Sequence, residues 1–66
     1  MTPAQTKLKG SEAALIGFDI VKQIHGEAAA VRLPFIFLMA LGYNSACNNL
    51  EQVAKDLARV PTYHNR

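Results

Sequence analysis

Residues 32–43 read Arg-Leu-Pro-Phe-Ile-Phe-Leu-Met-Ala-Leu-Gly-Tyr, RLPFIFLMALGY, in the middle of a 66-residue chain. From Leu33 to Leu41 there is no polar side chain. On a helical wheel Phe35, Ile36, Phe37, Leu38, Met39 and Leu41 surround the axis. A helix that is apolar all round has to be covered on all sides. Three environments do that: a bilayer, the chain's own core, or a second protein surface.

The bilayer fits poorly. A spanning helix takes about 20 apolar residues, whereas Leu33–Leu41 reaches only about 14 Å at 1.5 Å per residue. Extending the run back to Ala28 takes in Arg32 and leaves Pro34 inside it. Helices that lie in the membrane interface carry a basic polar face, and this run has none. No membrane role is expected.

The chain is also too short to cover the run alone. A domain of this size buries only ~60% of the surface its unfolded form exposes, so its stability is thin. Two further helical stretches would cover roughly half of the circumference. An apolar patch of at least a few hundred Å² would then stay open, the size that marks interaction sites. At about 25 cal/mol per Å², hiding it contributes several kcal/mol before association costs. The run therefore reads as a shared core, completed by a second copy of the chain, since two-fold homodimers are the commonest oligomers, or by a larger protein. The residues expected at that interface are Phe35, Phe37, Leu38, Met39 and Leu41, with Phe18 and Val21 nearby. Aromatic and Met side chains are enriched at interface centres.

Outward from the run, the chain divides into an expected flexible arm (1–10), a helical domain (11–60) and a tail (61–66). Ser11 ahead of Glu12 reads as an N-cap followed by a first-turn acid. At ~100° per residue, Ala13, Gly17, Ile20, Val21, Ile24, Ala28, Val31 and Phe35 share about 80° of arc. Where this helix stops is open. Gly26 suits a left-handed terminus, yet the apolar phase continues through it, and Pro34 is a second breaker. Gly42 is expected to end the central helix, with YNSACNN as a polar connection. Asn49 with Gln52, or Asn48 with Glu51, offers a capping box for the last helix. There Leu50, Val53, Ala54, Leu57 and Val60 share a face and Pro61 is the stop. The expected fold is an all-α, three-helix domain.

Composition narrows the function classes. Half of the residues are hydrophobic and 18% are charged, which excludes a disordered chain. The net charge is +2, but the seven Lys and Arg residues are scattered. Nucleic-acid binders concentrate theirs on one face. The single cysteine, Cys47, allows no intrachain disulfide. Together with a polar first ten residues lacking an apolar signal core, it favours a reducing, cytoplasmic setting.

No catalytic, metal or cofactor site is expected. His25, Cys47 and His64 are scattered without the short spacings of metal ligands. His25 reads as a helix-end residue near terminal carbonyls, and Cys47 as a half-buried filler. The carboxylates Glu12, Asp19, Glu27, Glu51 and Asp56 read as solvated or helix-end charge. The four glycines are isolated, so no phosphate-binding loop exists.

One segment resembles a known pattern. NLEQVAKDLARVPTYHNR, residues 49–66, is similar to the first helix and turn of a helix-turn-helix, with Val53-Ala54, three residues, then Ala58 and Val60. That resemblance implies a DNA-binding regulator using Lys55, Arg59, His64 and Arg66. It departs at Ala58, where the pattern has glycine, and only five residues follow Pro61. A helix that reads the major groove needs more length. The primary expectation is a non-enzymatic association module, a small adaptor, inhibitor or accessory subunit of the sort phages carry.

Overall fold

The computed structural model describes residues 8–61. Among them are four helices and no strand: α1 (Gly10–His25), α2 (Glu27–Arg32), α3 (Phe35–Ala46) and α4 (Leu50–Ala58). The fold is all-α. The fourth helix arises because both candidate breaks are used. Gly26 takes φ 99°, ψ 160°, a left-handed region that side chains with a Cβ avoid. Its N–H donates to the Lys22 carbonyl (3.0 Å), while its own carbonyl accepts from Ala30 (3.2 Å) and starts α2 at once. After the six residues of α2, Leu33 is extended, as a residue before proline prefers. The Pro34 carbonyl then accepts from Phe37 (3.0 Å) and Leu38 (3.2 Å) and opens α3.

These two breaks reset the helical phase, which corrects the continuous stripe expected from the wheel. Ala13, Gly17 and Val21 are buried, but beyond the breaks Val31 and Phe35 are exposed; Ile24, in phase within α1, is exposed at its C-terminal end. The start of α1 also differs. Lys9, not Ser11, holds the cap position, and its N–H reaches Glu12 Oε1 (3.4 Å). Of the expected arm, residues 1–7 lie outside the described residues. Leu8 is tied in, because the Tyr43 hydroxyl donates to its carbonyl at 2.7 Å.

α1 and α3 pack antiparallel through backbone rather than through large side chains. A Cβ built on Gly17 would collide with the Leu38 carbonyl oxygen, and one on Gly42 with that of Ala13. Gly42 is therefore not the helix end expected from sequence; α3 runs one further turn to Ala46. The stop is Asn48, with φ 60°. Asn48 N–H donates to Ser45 (3.0 Å) and Asn49 N–H to Asn44 (2.8 Å). This is the paired arrangement that closes many helices around a left-handed residue, a role asparagine fills when glycine does not.

The core follows from that close approach. Ala13, Ala14, Ala29 and Ala30 are buried with Val21, Leu38, Leu41 and Val60. Small residues take up the closest contact, and of the bulky residues on α3 only some, Leu38 and Leu41 among them, reach the core. Phe35 and Ile36 are 58% and 67% exposed.

α4 docks on α3 with a rotated face. Val53 and Leu57 are half-buried and Val60 is buried, but Leu50 and Ala54 are exposed. Asp56, read from sequence as solvated, is only 8% exposed. Its carboxylate accepts from Gln52 Nε2 (3.0 Å) and Asn44 Nδ2 (3.4 Å), and Arg59 stands 3.7 Å away. Neither Asn48 nor Asn49 caps α4 through a side chain, since the Asn49 position shows no such bond.

Candidate protein-association surface

Between α1 and α3 lies an open groove of about 360 Å³. Ser11, Ala14, Leu15 and Phe18 of α1 line it, with Phe35 and Leu38 of α3. Its origin is local. Ala14 sits low on α1 while Leu15 and Phe18 stand up beside it, and the glycine-spaced crossing brings Phe35 close enough to form the opposite wall. Leu38, nearly buried, contributes the floor. Apart from Ser11 every lining side chain is apolar. Such a surface offers a partner hydrophobic burial and shape, with almost no hydrogen-bonding chemistry.

The residues expected at the interface divide into three groups. Phe18, Phe35 and Leu38 line the groove. Phe37 and Met39 are half-buried and pack against the core. Val21 and Leu41 are 0% exposed, enclosed by the chain's own helices. For these two the expected contact with a partner is corrected: side chains on the inner face of α1 and α3 are consumed by the α1–α3 seam.

No family model, curated protein or solved structure matches the chain.

Sequence reading missed Leu15, which at 70% exposure is the most open large apolar side chain among the described residues. A signal was available. Ser11, Leu15, Phe18 and Lys22 are spaced four, three and four, and fall within about 60° of arc at ~100° per residue. That stripe lies beside the buried one of Ala13, Gly17 and Val21, and it carries fewer apolar residues.

Elsewhere, polar side chains serve structure. His25 Nε2–H donates to the Leu57 carbonyl (3.1 Å), joining the end of α1 to the last turn of α4. Cys47 is exposed at the end of α3, not half-buried as expected. No group of three His, Cys, Asp or Glu residues among those described could hold a metal ion. No helix among them is long and apolar enough to cross a membrane. Of the residues in the DNA-binding alternative, Lys55 stands 3.9 Å from Glu51 and Arg59 beside Asp56. His64 and Arg66 lie outside the described residues.

Proposed function

We propose that the chain is a non-enzymatic protein-association module, working as a homodimer through the α1/α3 face. The observation that carries this reading is the groove itself: apolar walls open to solvent, with Leu15 and Phe35 projecting beside it. A domain this small gains from covering such a face, because half of its buried apolar residues are alanine. Aromatic and aliphatic anchors in a water-free pocket are the usual source of binding energy between proteins. In a cell, such a module serves as an adaptor, inhibitor or accessory subunit.

Sedimentation equilibrium over about a hundredfold range of concentration tests the reading. The native chain is expected to pass from monomer mass to dimer mass. Leu15→Glu and Phe35→Asp are expected to stay monomeric while keeping the helical circular dichroism of the native chain. Dimers that persist unchanged in both variants would move the working surface away from this groove. A native chain that remains a monomer throughout would overturn the homodimer.

A further inference from the structure

We infer that the second copy docks antiparallel along α1, with the two-fold axis midway between Leu15 and Phe18, making a four-helix bundle from two α1/α3 hairpins. This rests on the groove being an association surface. Two features of this surface point to a copy of this chain rather than to an unrelated partner, and to this orientation.

The first is that projections and recess share one face. A two-fold interface must be complementary to itself. Leu15 and Phe18 flank the groove on α1 and Phe35 faces them from α3. Rotation about the proposed axis sets Leu15 against the partner's Phe18, and Phe18 against the partner's Leu15. The four-three-four spacing of Ser11, Leu15, Phe18 and Lys22 is the repeat by which two helices interlock side by side. Ser11, Leu15 and Lys22 are exposed, and Phe18 is half-buried, packed on one side against the core.

The second is charge. α1 carries Glu12 in its first turn and Lys22 in its last. Parallel pairing would place like charges together at both ends. Antiparallel pairing brings Lys22 opposite the partner's Ser11 and beside the partner's Glu12, twice per dimer. Asp19 lies one turn before Lys22 on the same edge, its carboxylate already accepting from Gln23 at 2.8 Å. The Asp19–Lys22 spacing lies within one helix and is the same in either orientation, so the preference for the antiparallel form rests on Glu12.

Size agrees with a dissociable dimer. α1 has 16 residues, about 24 Å of helix at 1.5 Å per residue. Two helices side by side are ~18 Å wide, so the footprint is roughly 430 Å² in projection. Protruding side chains raise the accessible area above that, towards the ~600 Å² per partner at the lower end of specific interfaces.

Cross-linking reads the orientation directly. In a Cys47→Ser background, Ser11→Cys and Lys22→Cys are made as separate variants and oxidised alone and mixed. The expected result is a disulfide-linked dimer in the mixture and little in either variant alone. The reverse pattern, links within each variant, would overturn the antiparallel arrangement. Lys22→Glu is expected to weaken dimerisation by about tenfold, the combined effect of two lost pairs and new repulsion. Adding Glu12→Lys should recover most of that loss. Because Glu12 also binds the Lys9 amide, dissociation constants are compared at temperatures where circular dichroism shows each variant folded. A dimer that survives Lys22→Glu unchanged, or cross-links in neither pattern, overturns the pairing and leaves the association surface standing. A chain monomeric at every concentration overturns both.

Discussion

Glycine at position 42 is there because of a neighbour and not because of its own backbone angles. A side chain at Gly42 would meet the Ala13 carbonyl, and one at Gly17 the Leu38 carbonyl; both obstacles are main chain. Main chain cannot swing aside, so the helices must separate and the alanine seam opens with them. We expect Gly42→Ala to cost about 3 kcal/mol or more, the upper range for overpacking. That is a large share of the total stability of a small domain. Gly10 provides the internal control. A Cβ there meets Met39 Sδ at 2.9 Å, the end of a flexible thioether that can rotate away. Alanine also favours helix over glycine by about 1 kcal/mol. Gly10→Ala should therefore be neutral or slightly stabilising. Urea denaturation followed by circular dichroism compares the two; equal losses would show that the seam is not where stability is held.

At the scale of elements, the helices differ in how they are held, and sequence legibility follows the same division. Where a break is forced by the chemistry of one residue, it could be read: Gly26 and Pro34 were both visible, and both act. Where a residue has two possible roles, context decided. Gly42 could end a helix or admit a neighbour, and only the approach of α1 reveals the second. Its loss as a terminator passes that task to Asn48, a residue of lower but real tolerance for positive φ. The groove was half legible. Phe18, Phe35 and Leu38 stood out as bulky and central, but Leu15 lies outside the Ala13–Gly17–Val21 stripe that the spacing of α1 picks out. The placement of α4 was least legible, because it is fixed by a polar contact. Asn44 of α3 donates to Asp56 of α4, and His25 of α1 reaches the Leu57 carbonyl. Val53 and Leu57 pack against the core only half-buried, and Leu50 is exposed, so the apolar support beside these bonds is thinner than in α1 or α3. α4 should accordingly exchange its amide hydrogens faster than α1 and α3, as lightly packed elements do. Asp56→Ala removes the acceptor shared by Asn44, Gln52 and Arg59, and is expected to cost about 1–3 kcal/mol. Hydrogen exchange by NMR should show that loss first in α4. Uniform loss of protection in all helices would mean that α4 is integral to the core.

For the molecule as a whole, stability and association are parts of one balance. Close helix contact through alanine and glycine lets a short chain form a hairpin, but it buries few large side chains; among the described residues only Val21 and Leu41 are large and fully enclosed. The bulk of RLPFIFLMALGY that the seam does not use is displaced outward, to Phe35 and Ile36. In the proposed dimer, a second copy covering that face would add burial that the fold by itself lacks. Because that copy would bind the folded chain and not the unfolded one, the proposal requires stability to rise with protein concentration. For a dimer present at about ten times its dissociation constant, the gain is on the order of 1.4 kcal/mol. In a domain of this size each kcal/mol moves Tm by about 4–8 °C. Melting curves recorded at about 2 μM and about 200 μM should therefore separate by several degrees. Leu15→Glu should melt at one temperature at both concentrations, close to that of the dilute native chain, because a side chain so exposed contributes little to the monomer. If the native curves coincide while the helices melt cooperatively, the hairpin is sufficient unaided. The outward phenylalanine and isoleucine would then have no share in keeping the chain folded.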